Sequence, residues 1–191
     1  MRKIFYIFRH GQTDFNKERR WQGCGIDMPL NREGEIQAHE LAARLRDKNL
    51  QIIYSSPLKR ALRTAEIVAA ELDIPVSIIP DLREGCFGEA EGMLKDDIAV
   101  KYPQIFKDWY SDVNDLDVGF PGGETKRQMQ RRMFDVVESL LSAQQEVVGI
   151  ASHGSSIRYL LMKFGHKPCA MKNTALFRLE YQDGVWQLEE P

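Results

Sequence analysis

The chain has 191 residues, 43% hydrophobic and 28% charged, with a formal net charge of -2. That size and balance suit a globular domain with a full apolar core and no need of disulfide staples. They exclude the global basic field of a general nucleic-acid binder, and no apolar run approaches membrane-spanning length.

At the N-terminus, Met1-Arg2-Lys3 ahead of Ile4–Phe8 superficially resembles the start of a signal peptide. The run is too short, Arg9-His10 interrupts it, and no small-residue cleavage site follows. It reads instead as a strand buried on both faces. After Asn31, an N-cap, Ile36, Leu41, Ala42 and Leu45 mark one face of a helix ending near Lys48. Ile52–Tyr54 is a second buried strand. Ser56-Pro57 reads as a cap with proline at the first helical position, opening a helix to about Leu72. Val76–Ile79 is a further strand between two prolines.

The stretch from Leu82 to Gly123 breaks this rhythm, rich in Gly, Asp and aromatic residues and partly helical around Asp96–Tyr110. A helix follows from Glu124 to about Ala143, with Met129, Met133, Val136 and Val137 on its apolar side. Val147–Ala151 is another buried strand, and Ser155–Phe164 a helix that Gly165 stops. Ala175–Tyr181 and Val185–Leu188 form a hairpin through Gln182-Asp183-Gly184. Strands alternating with helices predict an α/β fold, a mainly parallel β-sheet sandwiched by helices on both faces. With no repeat or linker, residues 1–191 are expected to form one domain, with an excursion at about 82–123 that runs over the sheet's edge and covers the active site. Cys24, Cys86 and Cys169 are odd in number and lack a Cys-x-x-Cys pair, which points to reduced thiols in a soluble, cytoplasmic protein.

Ligands in open α/β sheets bind at the carboxyl ends of the strands, and the chemistry-bearing residues gather there. Ile4–Phe8 ends in Arg9-His10-Gly11, and Val147–Ala151 ends in Ser152-His153-Gly154. Ile52–Tyr54 leads through Ser55-Ser56-Pro57 to Arg60. A glycine after each histidine lets backbone approach a ligand, and the following helix N-terminus offers free N–H groups. Two arginine forks beside two histidines suit a compact dianion, namely phosphate. Metal ligation lacks a supporting ligand spacing, and adjacent arginines oppose a cation. Packed core histidines are a poor account of two His-Gly pairs at equivalent strand ends.

Arg9-His10-Gly11-Gln12-Thr13, with Asn16, Gln22-Gly23 and Pro29-Leu30, resembles the opening of the histidine phosphatase superfamily (phosphoglycerate-mutase-like). The likeness continues through Gly34, Gln37-Ala38, Ser55 to Ala61, Leu82-Arg83-Glu84, Gly122-Gly123-Glu124 and Ser152-His153-Gly154. Gln12 stands where glutamate is frequent. The resemblance implies His10 as the nucleophile, with Arg9, Arg60 and His153 around the phosphate. It implies Glu84 as proton donor and later base, with Glu89 and Glu91 as fallbacks. Asn16, Gln22 and Gly154 are implied as substrate contacts. A histidine nucleophile must be neutral at the attacking nitrogen, so its other nitrogen should donate to a backbone carbonyl.

The expected function is hydrolysis of small-molecule phosphate monoesters through a phosphohistidine, with no cofactor or metal. The expected partner is a small phosphorylated metabolite, not nucleic acid or membrane, and the protein a monomer or homodimer. The rival is a cofactor-dependent phosphoglycerate mutase, but Gly85-Cys86-Phe87-Gly88 follows Glu84 where that branch carries Arg-His-Tyr-Gly. A non-catalytic phosphate-binding module is disfavoured because His10, Glu84 and His153 are all present. If Glu89, Glu91, Asp96 and Asp97 faced the pocket, they would disfavour a substrate with extra negative charge. Lys126-Arg127 with Arg131-Arg132 reads as a solvated helix face. Trp109, Tyr110 and Phe120 either line the leaving-group pocket or anchor the excursion.

Overall fold

The computed structural model describes residues 2–111 and 115–189. Six strands form one sheet in the order β3-β2-β4-β1-β5-β6. These are β1 (Arg2–Arg9), β2 (Ile52–Ser55), β3 (Val76–Ile78), β4 (Val147–Ser152), β5 (Leu176–Gln182) and β6 (Val185–Glu189). The first four run parallel, and the C-terminal hairpin adds β5 and β6 antiparallel beside β1.

The two-sided burial of β1 follows from its alternation. Ile4, Tyr6 and Phe8 enter a core with α2 (Arg32–Leu45) and α3 (Lys59–Leu72), through Leu41, Leu45 and Val68. Phe5 and Ile7 enter a second core with α6 (Lys126–Ser139) and α7 (Gly154–Met162), through Met133, Val137, Ile157 and Leu160. Helices therefore cover both faces of the sheet. Among the described residues, no helix is long and apolar enough to cross a membrane.

Asn31 caps α2 as its sequence suggests, accepting from the Gly34 N–H. Ser56 does not cap α3, which begins at Lys59 after Leu58. The Ser56 hydroxyl accepts the Leu58 N–H and also meets His153, so it serves the strand ends. Helix α6 begins after Thr125, whose side chain forms a capping box with Gln128.

The excursion reaches the site cavity through Glu84, Phe87 and Tyr110, as a segment covering the site should. It packs on α6 and α7 at the end of the central strands, where the Leu82 carbonyl accepts from Ser152, and not over an edge strand. Its own core joins Phe87, Ile98, Trp109 and Phe120 to Met129 and Tyr159, with the Trp21 ring set among them. Trp109 and Phe120 thus anchor the segment. Two short helices, α4 (Lys95–Lys101) and α5 (Pro103–Trp109), replace one continuous element because Pro103 opens the second.

The basic run on α6 is also not uniformly solvated. Lys126 is 1% exposed and donates to the Asp108 carbonyl. Arg132 binds Glu124 and the carbonyls of Asp81 and Arg83, tying the excursion to the helix. Arg127 and Arg131 do face solvent.

The cysteine expectation is overturned. Cys24 and Cys86 form a disulfide across 62 residues, and only Cys169 among the three is free. The long separation hides the pairing in sequence. Glu91 brings the two loops together, accepting the N–H groups of Cys24, Gly25 and Phe87.

Candidate active site

Strand register assembles the site. Arg9 lies opposite Ser152 in the β1–β4 pair, so His10 and His153 leave the sheet side by side. Their ring centroids are 5.1 Å apart and both rings are buried. Ser55 pairs with Ala151, which brings Ser56 and α3 to the same end.

His10 Nδ1 lies 2.7 Å from the Gly11 carbonyl. A carbonyl only accepts, so Nδ1 carries the proton and Nε2 keeps its lone pair. His153 Nε2 lies 2.7 Å from Ser56 Oγ. The hydroxyl accepts from Leu58 N and donates to Nε2, which assigns the His153 proton to Nδ1. That Nδ1 is buried without a partner.

Burial, then the charges of Arg9 and Arg60, hold the His10 imidazole well below its ordinary pKa; the Gly11 bond opposes this weakly. His153 is pushed down chiefly by burial, with Arg60, His10 and Arg9 adding to it. Both rings are therefore neutral in the folded protein. Unfolded, they take protons near their ordinary value of about 6.5. Their depressed folded values leave stability intact above that pH and erode it as pH falls below it. The expected slope reaches up to about 2.7 kcal/mol per pH unit for two histidines. Urea-unfolding midpoints between pH 7.5 and 5 should reveal it, and a flat profile would mean that the rings are solvated.

Burial also pushes the guanidinium pKa values of Arg9 and Arg60 down to about 10, which leaves both charged at neutral pH. Arg9 donates through Nη1 to the Met171 carbonyl. Arg60 donates to the carbonyls of Ile26 and Gly23, each at 2.9 Å. The Nε of each arginine is buried without a partner.

Glu84 stands at the open N-terminus of α7, where His153 makes no side-chain cap. It accepts from Ser155 N at 3.2 Å, Ser156 N at 3.0 Å and Ser156 Oγ at 3.1 Å. The other acids lie elsewhere. Glu89 binds Lys101 and Tyr102, Asp96 binds Arg19, and Glu91 holds the two disulfide loops.

A cavity of ≈ 160 Å³ is walled by Arg9, His10, Asn16, Gln22, Glu84 and Gly154. The other two sequence-selected residues, Arg60 and His153, are buried behind that wall. Asn16 spends Oδ1 on Thr13 N and Asn173 Nδ2. Gln22 Nε2 lies 2.8 Å from Thr13 Oγ1 while its Oε1 is buried and unpaired. Turning that amide over lets the Thr13 hydroxyl donate to Oε1 and leaves Nε2 as the unpartnered group, a donor in the cavity wall.

Sequence reasoning missed several wall residues. Arg158, Arg20, Trp21, Phe87 and Ser155 line the cavity, and Tyr110 settles there while Trp109 and Phe120 do not. The available signal for Arg158 was an arginine among Ile157, Tyr159, Leu160 and Leu161, one turn after Gly154. Two wall residues thus carry unpartnered buried donors, Arg9 Nε and Arg158 Nη1, and behind them Arg60 Nε and His153 Nδ1 are unpartnered as well. Such donors call for an anion. Among the described residues, no three His, Cys, Asp or Glu side chains group as a metal site.

The two glycines differ in their packing. A Cβ on Gly11 would lie 2.3 Å from the Gly34 carbonyl oxygen, so this glycine seats β1's exit against α2. A Cβ on Gly154 would stand 3.4 Å from Arg9 Nε, an ordinary contact, so the arginine does not require glycine there.

Comparison with known proteins agrees with this geometry. The profile of the histidine phosphatase superfamily (branch 1) matches residues 5–191. The uncharacterized phosphatase PhoE of Bacillus subtilis (strain 168) is 32% identical, covering 96% of this chain and 91% of that protein. A metal-independent phosphoserine phosphatase of Arabidopsis thaliana is 31% identical, covering 96% and 78% respectively. Other relatives at similar identity carry the name phosphoglycerate mutase. The solved structure of a mycobacterial glucosyl-3-phosphoglycerate phosphatase with VO3 superposes with a TM-score of 0.88 at 25% identity, covering 98% of this chain and 97% of that one.

Proposed function

The chain belongs to the histidine phosphatase superfamily (branch 1) and is a phosphomonoester hydrolase, and from that premise we propose that it cleaves small monoesters through a phosphohistidine on His10. One observation carries the reading: His10 keeps its Nδ1 proton on the Gly11 carbonyl, which leaves Nε2 basic in a cavity of unpaired cationic donors.

In the first step His10 Nε2 attacks phosphorus, the N–P bond forms and the ester P–O bond breaks. Protonated Glu84 gives its proton to the departing oxygen, which leaves as an alcohol. In the second, the Glu84 carboxylate takes a proton from water as that water's oxygen attacks phosphorus. Inorganic phosphate leaves and His10 returns to its neutral form. Arg9, Arg60 and the His153 Nδ1 proton stabilise the equatorial oxygens, work that requires positioned charge and no metal. Asn16, Gln22 and the start of α7 at Gly154 complete the phosphate's surroundings.

Three features of Glu84 support it over Glu89 and Glu91: it reaches the cavity, it is buried, and it accompanies His10 there. Glu84→Gln is expected to lower kcat/KM, which reports formation of the phosphohistidine and not its hydrolysis, by about 10²- to 10⁴-fold on alkyl phosphates. The loss should shrink sharply on p-nitrophenyl phosphate, whose leaving group needs no proton. An equal loss on both would remove Glu84 from the acid's role.

The reading as a whole is tested with labelled monoesters in excess chelator, following both released phosphate and protein-bound label. Turnover with acid-labile, base-stable label supports it. Activity abolished by chelator, or a monoester isomerised without phosphate release, overturns it in favour of a metal enzyme or a mutase.

A further inference from the structure

The cavity holds one cation more than a phosphate dianion uses. On the hydrolase reading, Glu84 enters the first step protonated, so Arg9 and Arg60 together already match the two charges of the phosphate. Arg20, also in the wall, is occupied: its Nε binds Glu18 at 3.0 Å and its Nη1 the Gly92 carbonyl at 2.9 Å. Arg158 is left over.

Arg158 is 5% exposed, and among the described residues no acidic side chain pairs with it. Its Nε donates to the Cys169 carbonyl at 2.7 Å, which fixes the side chain, while Nη1 is buried without a partner. The guanidinium carbon stands 4.9 Å from the centroid of the Tyr110 ring, a wall residue whose hydroxyl burial keeps neutral. A buried guanidinium held by one bond and the faces of Tyr110 and Tyr159, with an unpartnered Nη1 beside a ligand cavity, is a site waiting for an acceptor. The acids that the sequence placed nearby do not supply it, because Glu89, Glu91 and Asp96 have partners outside the cavity.

We infer that Arg158 is a specificity-determining residue that receives a carboxylate carried by the leaving group of the substrate. The inference rests on the hydrolase reading and adds a substrate class to it, short monoesters bearing a second, carboxylic anion. Tyr110 walls the same end and offers its hydroxyl as a further donor. The small cavity fits a compact acid of this kind, and a planar carboxylate suits the guanidinium fork.

The test compares 3-phosphooxypropanoate with its carboxamide, which differ in charge and hardly in shape. Wild type should prefer the acid in kcat/KM by about ten- to hundred-fold, the range of one charge-assisted hydrogen bond. Arg158→Met should bring that ratio to within about three-fold of unity, and Arg158→Lys should restore part of it. A purely structural Arg158 would lower both substrates alike and leave the ratio where it was. A wild-type ratio near unity also overturns the inference, whether or not the methionine variant folds, and leaves the hydrolase reading standing. Failure of wild type to hydrolyse either compound would bring down both.

Discussion

His10→Ala is expected to lower kcat by at least about 10⁵-fold and to abolish the acid-labile phosphoenzyme, the magnitude seen when a covalent nucleophile is removed. The size of the loss follows from the geometry. Arg9, Arg60 and His153 would still gather phosphate, so binding of inorganic phosphate should survive within a few-fold while chemistry stops. No other side chain in the wall offers a basic nitrogen: the remaining side-chain nitrogens belong to charged guanidiniums, amides or the Trp21 indole. His153 is a poor substitute, because its Nε2 is bound to Ser56 and its Nδ1 carries the proton. Single-turnover assays with labelled substrate, alongside phosphate binding by calorimetry, separate the two effects. Retention of labelled protein in the alanine variant would move the nucleophile elsewhere.

Reduction of the Cys24–Cys86 bond is expected to destabilise the fold by up to about 4 kcal/mol, the loop-closure value for 62 residues. For a chain of this size that is roughly 8–16 °C in Tm. Cys24→Ser should reproduce the loss and make the protein insensitive to reductant, because both remove the same link. The two loops it joins carry parts of the site. Gly23 supplies a carbonyl to Arg60, and Glu84 lies two residues before Cys86. Substrate affinity should therefore weaken along with stability, as the buried Arg60 loses a fixed acceptor. Thiol titration of the unreduced, unfolded chain should count only Cys169, and three thiols after reductant. Three thiols without reductant, with no change of Tm on its addition, would refute the bond and restore the reduced-thiol expectation.

Much of the site was legible because its elements are local. A strand that ends in Arg-His-Gly and another that ends in Ser-His-Gly place their histidines at carboxyl ends whatever the details of packing, since parallel strands share that end. The register of β1 with β4 then makes the two rings neighbours. The unbroken apolar run Ile4–Phe8 likewise dictated a two-sided core and helices on both faces. Helix starts were less secure. Ser56-Pro57 has the composition of a cap, but a hydroxyl two residues ahead of Leu58 also fits a turn, and His153 from another strand claims it.

The sequence by itself determined the α/β class, the order of elements, and the gathering of His10, His153, Arg9 and Arg60 at one end of the sheet. Local propensity and strand polarity are enough for that, because they act within a few residues. Only the tertiary structure decided which Glu reaches the cavity, that Cys24 meets Cys86, that buried Lys126 and half-buried Arg132 are ties, and that Arg158 turns inward without a counter-charge. Each of these depends on which remote segment supplies the neighbouring charge, carbonyl or thiol. Spacing along the chain carries no record of such long-range encounters; they arise when the excursion folds its aromatic core onto α6 and α7.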